Sequence, residues 1–273
     1  MLAELISIPT DTFPLDGLYY EPNDRPVRGA VLLMHGNGQN FYFGPARFLP
    51  EYLVAEGLAC LAFNRRGHDI LTARTRVPEG NAFQTAAEAR ADNEYAREFL
   101  ADRGHTAPVI VGHSNGGLLA ARYVADHPET PALVLLSAHC GGGDMLARAS
   151  ALGLLAGDRL AELSTQAHAL VAADRPEELM LLPGWWYVTA AGAFVDMDNN
   201  TPRIIDAAPA IACPTLYLRG DQEDPDLYPA ERFAQASPAA VDVQIMDDCD
   251  HFYTGHTAVV GALVAEWVNT RLT

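Results

Sequence analysis

Short, almost wholly apolar runs recur along this chain, separated by stretches of helical period. The runs are Ala30-Val31-Leu32-Leu33-Met34, Leu58-Ala59-Cys60-Leu61-Ala62-Phe63, Pro108-Val109-Ile110-Val111, Ala132-Leu133-Val134-Leu135-Leu136 and Thr215-Leu216-Tyr217-Leu218. A strand with one wet face alternates, whereas a strand covered on both faces is apolar throughout. Between the runs, Pro45 to Glu56 is helical in period and closed by Gly57, and about Thr85 to Ala101 and Leu118 to Val124 also read as helix. Buried strands alternating with helices require a mostly parallel sheet flanked by helices on both faces, an α/β fold. Leu2 to Ile8 and Gly17 to Tyr20 read as a strand pair at one sheet edge. Pro229 to Ala236 reads as helix, Val241 to Met246 as a strand exposed on one face, and Thr257 to Thr270 as a final amphipathic helix.

This rhythm stops after Ser137. Residues 140–211 are mostly helical in period, broken at Pro176, Pro183, Pro202 and Pro209, before strands resume at Thr215. The expected organisation is a core of residues 1–139 and 212–273, with a helical cap of residues 140–211 inserted between two strands of one sheet.

Composition removes several function classes. The net charge is −17, which disfavours nucleic acid, anionic membranes and polyanionic substrates. All 18 basic residues are arginine, so neither a Schiff base nor a lysine general base is available. No apolar run reaches the length of a membrane span, and Met1 to Thr12 lacks the pattern of a secretory signal; a cytoplasmic location is expected. Cys60, Cys140, Cys213 and Cys249 are dispersed, with no Cys-x-x-Cys pair, and read as buried thiols. No metal or organic cofactor is implied. The expected partner is a small-molecule substrate, with no assignment of oligomeric state.

The chemistry concentrates at Gly112-His113-Ser114-Asn115-Gly116-Gly117, a G-x-S-x-G motif set between a strand and a helix. In that context the serine occupies a tight, strained turn, and its hydroxyl stands clear of the sheet. A serine hydroxyl is a weak nucleophile and needs a base, a group to orient the base, and donors for the developing oxyanion. His251, in the loop between the last strand and last helix, is the candidate base; His256 is its nearest rival, and His113 reads as packing. The loop Gly220-Asp221-Gln222-Glu223-Asp224-Pro225-Asp226 supplies the orienting acid. Asp224, stiffened by Pro225, is favoured, with Asp221 and Glu223 as alternatives. The oxyanion donors are the backbone N–H of Asn115, at a helix N-terminus, and that of Asn37, with Gly38 second.

These pieces resemble the α/β-hydrolase superfamily. The resemblance rests on His35-Gly36, Arg66-Gly67-His68, the elbow at 112–116, the acid loop at 220–225 and Asp250-His251, in the chain order nucleophile, acid, histidine. The ending Asp250-His251-Phe252-Tyr253 and the acid loop are similar to those of capped, esterase-like members that include fungal siderophore esterases. Where the family commonly reads Asp-x-Arg-Gly-x-Gly, this chain has Asn64-Arg65-Arg66-Gly67-His68-Asp69. The paired arginines could bind a substrate carboxylate or form an ion pair beneath the loop.

Within the cap, Trp185, Trp186, Tyr187 and Phe194 are candidates to line an apolar substrate pocket above Ser114, the alternative being that the tryptophans only pack the cap onto the core. The resulting expectation is a carboxylesterase-like serine hydrolase acting through an acyl-enzyme on an ester, amide or thioester of a small, partly apolar substrate. The alternatives are a carbon–carbon bond hydrolase or lyase on the same scaffold, or a binding protein without turnover.

Overall fold

Every apolar run forms a strand in the computed structural model, which describes residues 1–71, 76–185 and 187–272. The strands are β1 (Leu2–Ile8), β2 (Leu15–Glu21), β3 (Gly29–Met34), β4 (Leu58–Phe63), β5 (Val109–His113), β6 (Leu133–Leu136), β9 (Thr215–Gly220) and β10 (Val241–Met246), with β7 (Leu179–Leu182) and β8 (Tyr187–Ala190) lying apart. The eight form one sheet in the order β1-β2-β4-β3-β5-β6-β9-β10. β1, β2 and β4 pair antiparallel at one edge, and the remaining pairings are parallel.

The pleat explains the unbroken apolar runs. In β3, Leu32 and Met34 enter the core on one face, while Val31 and Leu33 enter the core on the other. The first face is covered by α2 (Ala86–Asp102), α3 (Asn115–Asp126) and α8 (Ala230–Ala236), the second by α1 (Pro45–Ala55) and α9 (Thr257–Arg271). Each fully buried aliphatic side chain contributes roughly 1.5–3 kcal/mol before chain entropy is counted. Helix starts are locally encoded: the Thr85 hydroxyl accepts from Glu88 N, and Glu88 returns a bond to Thr85 N at 2.8 Å, forming a capping box before α2.

Register brings the functional edge together. His113, Leu136, Leu218 and Gln244 lie in one row across β5, β6, β9 and β10. Ser114 and Ser137 therefore leave the sheet side by side, and the loops after β9 and β10 open on the same edge. In parallel α/β sheets this carboxyl edge is where ligands bind.

Residues 140–211 differ in part from the helical expectation. They contain α4 (Gly142–Ala151), α5 (Leu160–Ala172), α6 (Ala191–Asn200) and α7 (Ile204–Ala207), but also the antiparallel pair β7–β8. The turn at Pro183-Gly184 closes that pair. Gly184 has φ +91°, and a Cβ there would lie 2.0 Å from Leu154 O, so only glycine fits. The segment has its own apolar cluster, including Met145, Leu146, Leu163, Leu182 and Phe194, which extends to Leu227 and Tyr228 after β9. Backbone bonds from Ala190 N to Ala82 O (2.6 Å) and from Cys140 N to Leu227 O (2.8 Å) tie it to the sheet's loops. Among the described residues, no helix is long and apolar enough to cross a membrane.

Candidate active site

Ser114 sits between β5 and α3 with φ 56° and ψ −121°, a conformation that costs a non-glycine residue about 1–3 kcal/mol. Its neighbours make the turn possible. A Cβ on Gly112 would lie 2.3 Å from Gly116 O, and one on Gly116 would lie 2.1 Å from Met34 O. The start of α3 thus rests directly on the backbone leaving β3, which sets Asn115 beside the 35–38 loop.

His251 approaches from the loop after β10. Its Nε2 lies 3.1 Å from Ser114 Oγ, and its Nδ1 lies 2.6 Å from Glu223 Oε1. The other oxygen of Glu223 accepts from Gly220 N at 2.9 Å and Ser137 Oγ at 2.7 Å. The Tyr253 hydroxyl backs this arrangement, 2.8 Å from Ser137 Oγ and 3.2 Å from Leu218 O. Burial, and then the nearby Glu223, push the Tyr253 phenol well above its ordinary pKa, so it remains a hydroxyl. The Glu223 side chain is only 3% exposed, so its surroundings are fixed protein donors rather than water.

Asp224, the favoured acid from sequence, is elsewhere. Its carboxylate pairs with Arg148 of α4 at 2.9 and 2.6 Å and accepts from the N–H of Asp226 and Leu227. The bond from Arg148, partly opposed by desolvation, holds that carboxyl below its usual range. Asp221 accepts from Cys249 N at 3.1 Å and takes no part in orienting His251. Glu223 reaches the histidine because its longer side chain folds back under the strand end, where Gly220 N anchors it.

His113 is buried and lies against His251: its Nε2 donates to His251 O at 2.9 Å. Burial, reinforced by His251, pushes its pKa down to about 3, so it is a neutral strut. His35 is also buried and held well below its ordinary value, first by burial and then by Arg65. Its Nδ1 donates to Gly36 O (2.7 Å) and its Nε2 accepts from Arg65 N (3.0 Å).

The loop after β3 leaves Asn37 at the cavity wall. Gly38 N is already bound to Asn81 Oδ1 at 3.0 Å, whereas Asn37 is fixed through its side chain, with Nδ2 donating to Tyr187 OH at 3.0 Å. Asn115 N–H lies in the first turn of α3, where helix geometry supplies no carbonyl partner. Neither of the paired arginines lines the spaces beside Ser114. Arg66 pairs with the fully buried Asp92 at 2.8 Å and with Asp11 at 2.7 Å, and Arg65, itself buried, donates to His35 O at 2.7 Å.

Ser114 lines a cavity of about 750 Å³ together with His251, Trp185, Tyr187 and Leu152. Trp185 is 52% exposed at its mouth. Phe194 does not reach the cavity; it is 1% exposed inside the apolar cluster of residues 140–211, correcting the expectation that it lines the pocket. Trp186 lies outside the described residues. The sequence assigns no role to Ser137, His139 or Asn81, and Tyr253 enters there only as the end of the Asp250-His251-Phe252-Tyr253 motif. Ser137 and His139 carried one usable signal, polar residues immediately beyond a buried parallel strand. Among the described residues, no group of three or more His, Cys, Asp or Glu side chains is placed to hold a metal ion.

Fold and site geometry define an α/β hydrolase. The chain belongs to the alpha/beta hydrolase family, whose sequence model matches residues 31–263. It is similar in structure to Est1E from Butyrivibrio proteoclasticus with ferulic acid bound, at TM-score 0.74 and 19% identity over 98% of this chain and 99% of that one. It is also similar to an esterase from Pyrococcus furiosus, at TM-score 0.66 and 17% identity over 100% and 92% of the two chains. A dienelactone hydrolase from Anabaena variabilis is similar at TM-score 0.61 and 20% identity over 97% and 96%. At such identities the likeness is one of fold. No curated protein sequence matches the chain. These matches carry the family and not the siderophore-esterase subgroup.

Proposed function

We propose that this chain is a serine hydrolase that cleaves carboxylic esters through an acyl-enzyme. The observation that carries the reading is the continuous line from Ser114 Oγ to His251 Nε2 (3.1 Å) and from His251 Nδ1 to Glu223 Oε1 (2.6 Å), built on a strained serine. In this mechanism Ser114 Oγ attacks the ester carbonyl carbon while His251 Nε2 takes its proton. Glu223 holds the Nδ1–H tautomer and stabilises the imidazolium. The backbone N–H groups of Asn37 and Asn115 receive the oxyanion, donors of a kind worth roughly 10²–10³ in rate. The carbon–oxygen bond then breaks and His251 protonates the leaving alcohol. Water, activated by the same histidine, releases the acid and restores Ser114.

Esterases are among the structural neighbours named above, and their chemistry agrees with this reading. The test is labelling by a fluorophosphonate, with the modified peptide mapped, alongside a panel of aryl esters. Labelling at Ser114 and ester turnover lost in Ser114→Ala are expected. Near-wild-type turnover in that variant would overturn the mechanism. A panel that includes amides, thioesters and β-diketones separates ester cleavage from amide, thioester and carbon–carbon bond hydrolysis.

A further inference from the structure

The space around Ser114 is divided unequally. The large part, about 750 Å³, is walled by His251, Phe252, Trp185, Leu152 and Ile70. Ser114 also opens on a chamber of about 60 Å³ that shares Trp185, Tyr187 and Tyr228 with the large part but is lined by His139, Met145 and Met197 in place of His251. That chamber shares His139 and Met145 with a further one of about 70 Å³, reaching Asn115, Thr85 and Asp196. Each small chamber has room for only a few water-sized groups.

Proton transfer decides which half of an ester goes where. The proton that His251 takes from Ser114 must be delivered to the leaving oxygen, so the alcohol lies on the His251 side. The acyl carbon stays bonded to Ser114 Oγ, and the small chambers, which His251 does not line, are the space left for it. Their wall carries polar side chains, among them Asn115, Thr85 and His139, and the sense of His139 is fixed. His139 Nδ1 accepts from Gly141 N at 3.1 Å, which places the ring hydrogen on Nε2. No described residue accepts from that Nε2. Burial, and then His251, hold this imidazole down to about 4, so it is neutral. No arginine lines either chamber, and Asp196 sits on the wall. An oxygen acceptor without charge fits there, and a carboxylate does not.

Resting on the serine-hydrolase reading, we infer that the substrates are esters of short, uncharged hydroxy or keto acids with a bulky apolar alcohol, and that His139 Nε2–H binds the acyl oxygen substituent.

The test compares 2-naphthyl butyrate, the 2-naphthyl 2- and 3-hydroxybutyrates, mono-2-naphthyl succinate and 2-naphthyl octanoate. The better hydroxybutyrate should exceed butyrate in kcat/KM by about tenfold, the scale of one well-placed hydrogen bond in an enclosed site. Succinate and octanoate should fall below butyrate by a similar factor. His139→Asn keeps an acceptor for Gly141 N–H but withdraws the donor from the chamber, and should bring the hydroxybutyrate-to-butyrate ratio close to one. His139→Gln, which returns a donor near the Nε2 position, should restore it. A wild-type ratio near one, a preference for octanoate, or a ratio unchanged in His139→Asn would overturn the inference while leaving the hydrolase reading intact. Should His139→Asn fail to fold by circular dichroism, the wild-type ratios and His139→Gln decide. No cleavage of any ester, together with no fluorophosphonate label on Ser114, would instead overturn the hydrolase reading itself.

Discussion

Glu223 and His251 are joined by a 2.6 Å contact at the carboxyl edge of the sheet, while the adjacent Asp224 is committed to Arg148. Glu223→Gln retains the side chain's shape but not the charge that holds the histidine tautomer. It should lower kcat roughly 10³–10⁴-fold. Asp224→Asn should leave kcat within about tenfold of wild type, because that carboxylate, although it lines the large cavity, is paired with Arg148 of α4 and does not touch His251. Steady-state kinetics of the two variants side by side check the assignment. A larger loss in Asp224→Asn than in Glu223→Gln would reverse it.

Ser137 donates to Glu223 from the end of β6 at 2.7 Å and is fully buried. Ser137→Ala removes one of the carboxylate's fixed donors. A hydrogen bond to a charged group contributes about 1.5–3 kcal/mol, so kcat should fall roughly 10- to 100-fold with KM little changed. Tyr253→Phe, which leaves Ser137 in place, should be milder. Equal changes in KM and kcat/KM for Ser137→Ala, with kcat intact, would show that Ser137 does not act through the triad.

Gly116→Ala tests the close contact of α3 with β3. The added methyl would meet Met34 O at 2.1 Å and His35 O at 2.4 Å, both backbone atoms that cannot swing aside. A loss of about 3 kcal/mol in unfolding free energy is expected from such overpacking, measured by urea denaturation. The same displacement moves Asn115 away from Asn37, so activity should fall in parallel.

Acid stability follows from His35 and His113, both buried and neutral in the fold. Their folded pKa values are depressed, His113 to about 3, while an unfolded imidazole titrates near 6.5. Below about pH 6.5 the unfolded chain takes up protons that the native state refuses. Stability is therefore fully present about one unit above that pH and lost as pH falls through and below it, by up to about 1.4 kcal/mol per pH unit for each group. Urea midpoints at pH 7.5, 6.5 and 5.5 should fall slightly over the first interval and more steeply over the last. His113→Gln can still donate to His251 O and should make that decline shallower. An unchanged slope would contradict the buried neutral state of His113.

The sheet, the helices and the nucleophile were legible in the residues, because each is encoded locally. Two-sided burial writes itself as an unbroken apolar run, and a tight strand–turn–helix junction demands glycine at positions 112 and 116. His251 was legible from its place between the last strand and the last helix. The acid was not, since Asp221, Glu223 and Asp224 are chemically alike and stand within four positions. Its choice depends on Arg148, distant in sequence, which draws Asp224 away, and on Ser137 and Gly220 N, which hold Glu223 under the strand end. Phe194 was misplaced for the same reason. Its hydrophobicity is compatible with a pocket or a core, and only the packing of α6 against Met145 and Leu146 turns it inward. The β7–β8 pair escaped the helical period because its register is fixed by a glycine turn and by bonds to Ala82 and Leu154, all outside the pattern that a local window can read. Local chemistry determined which strands, helices and nucleophile this protein has. Contacts between residues far apart in the chain decided which carboxylate serves the histidine and which side chains face the substrate.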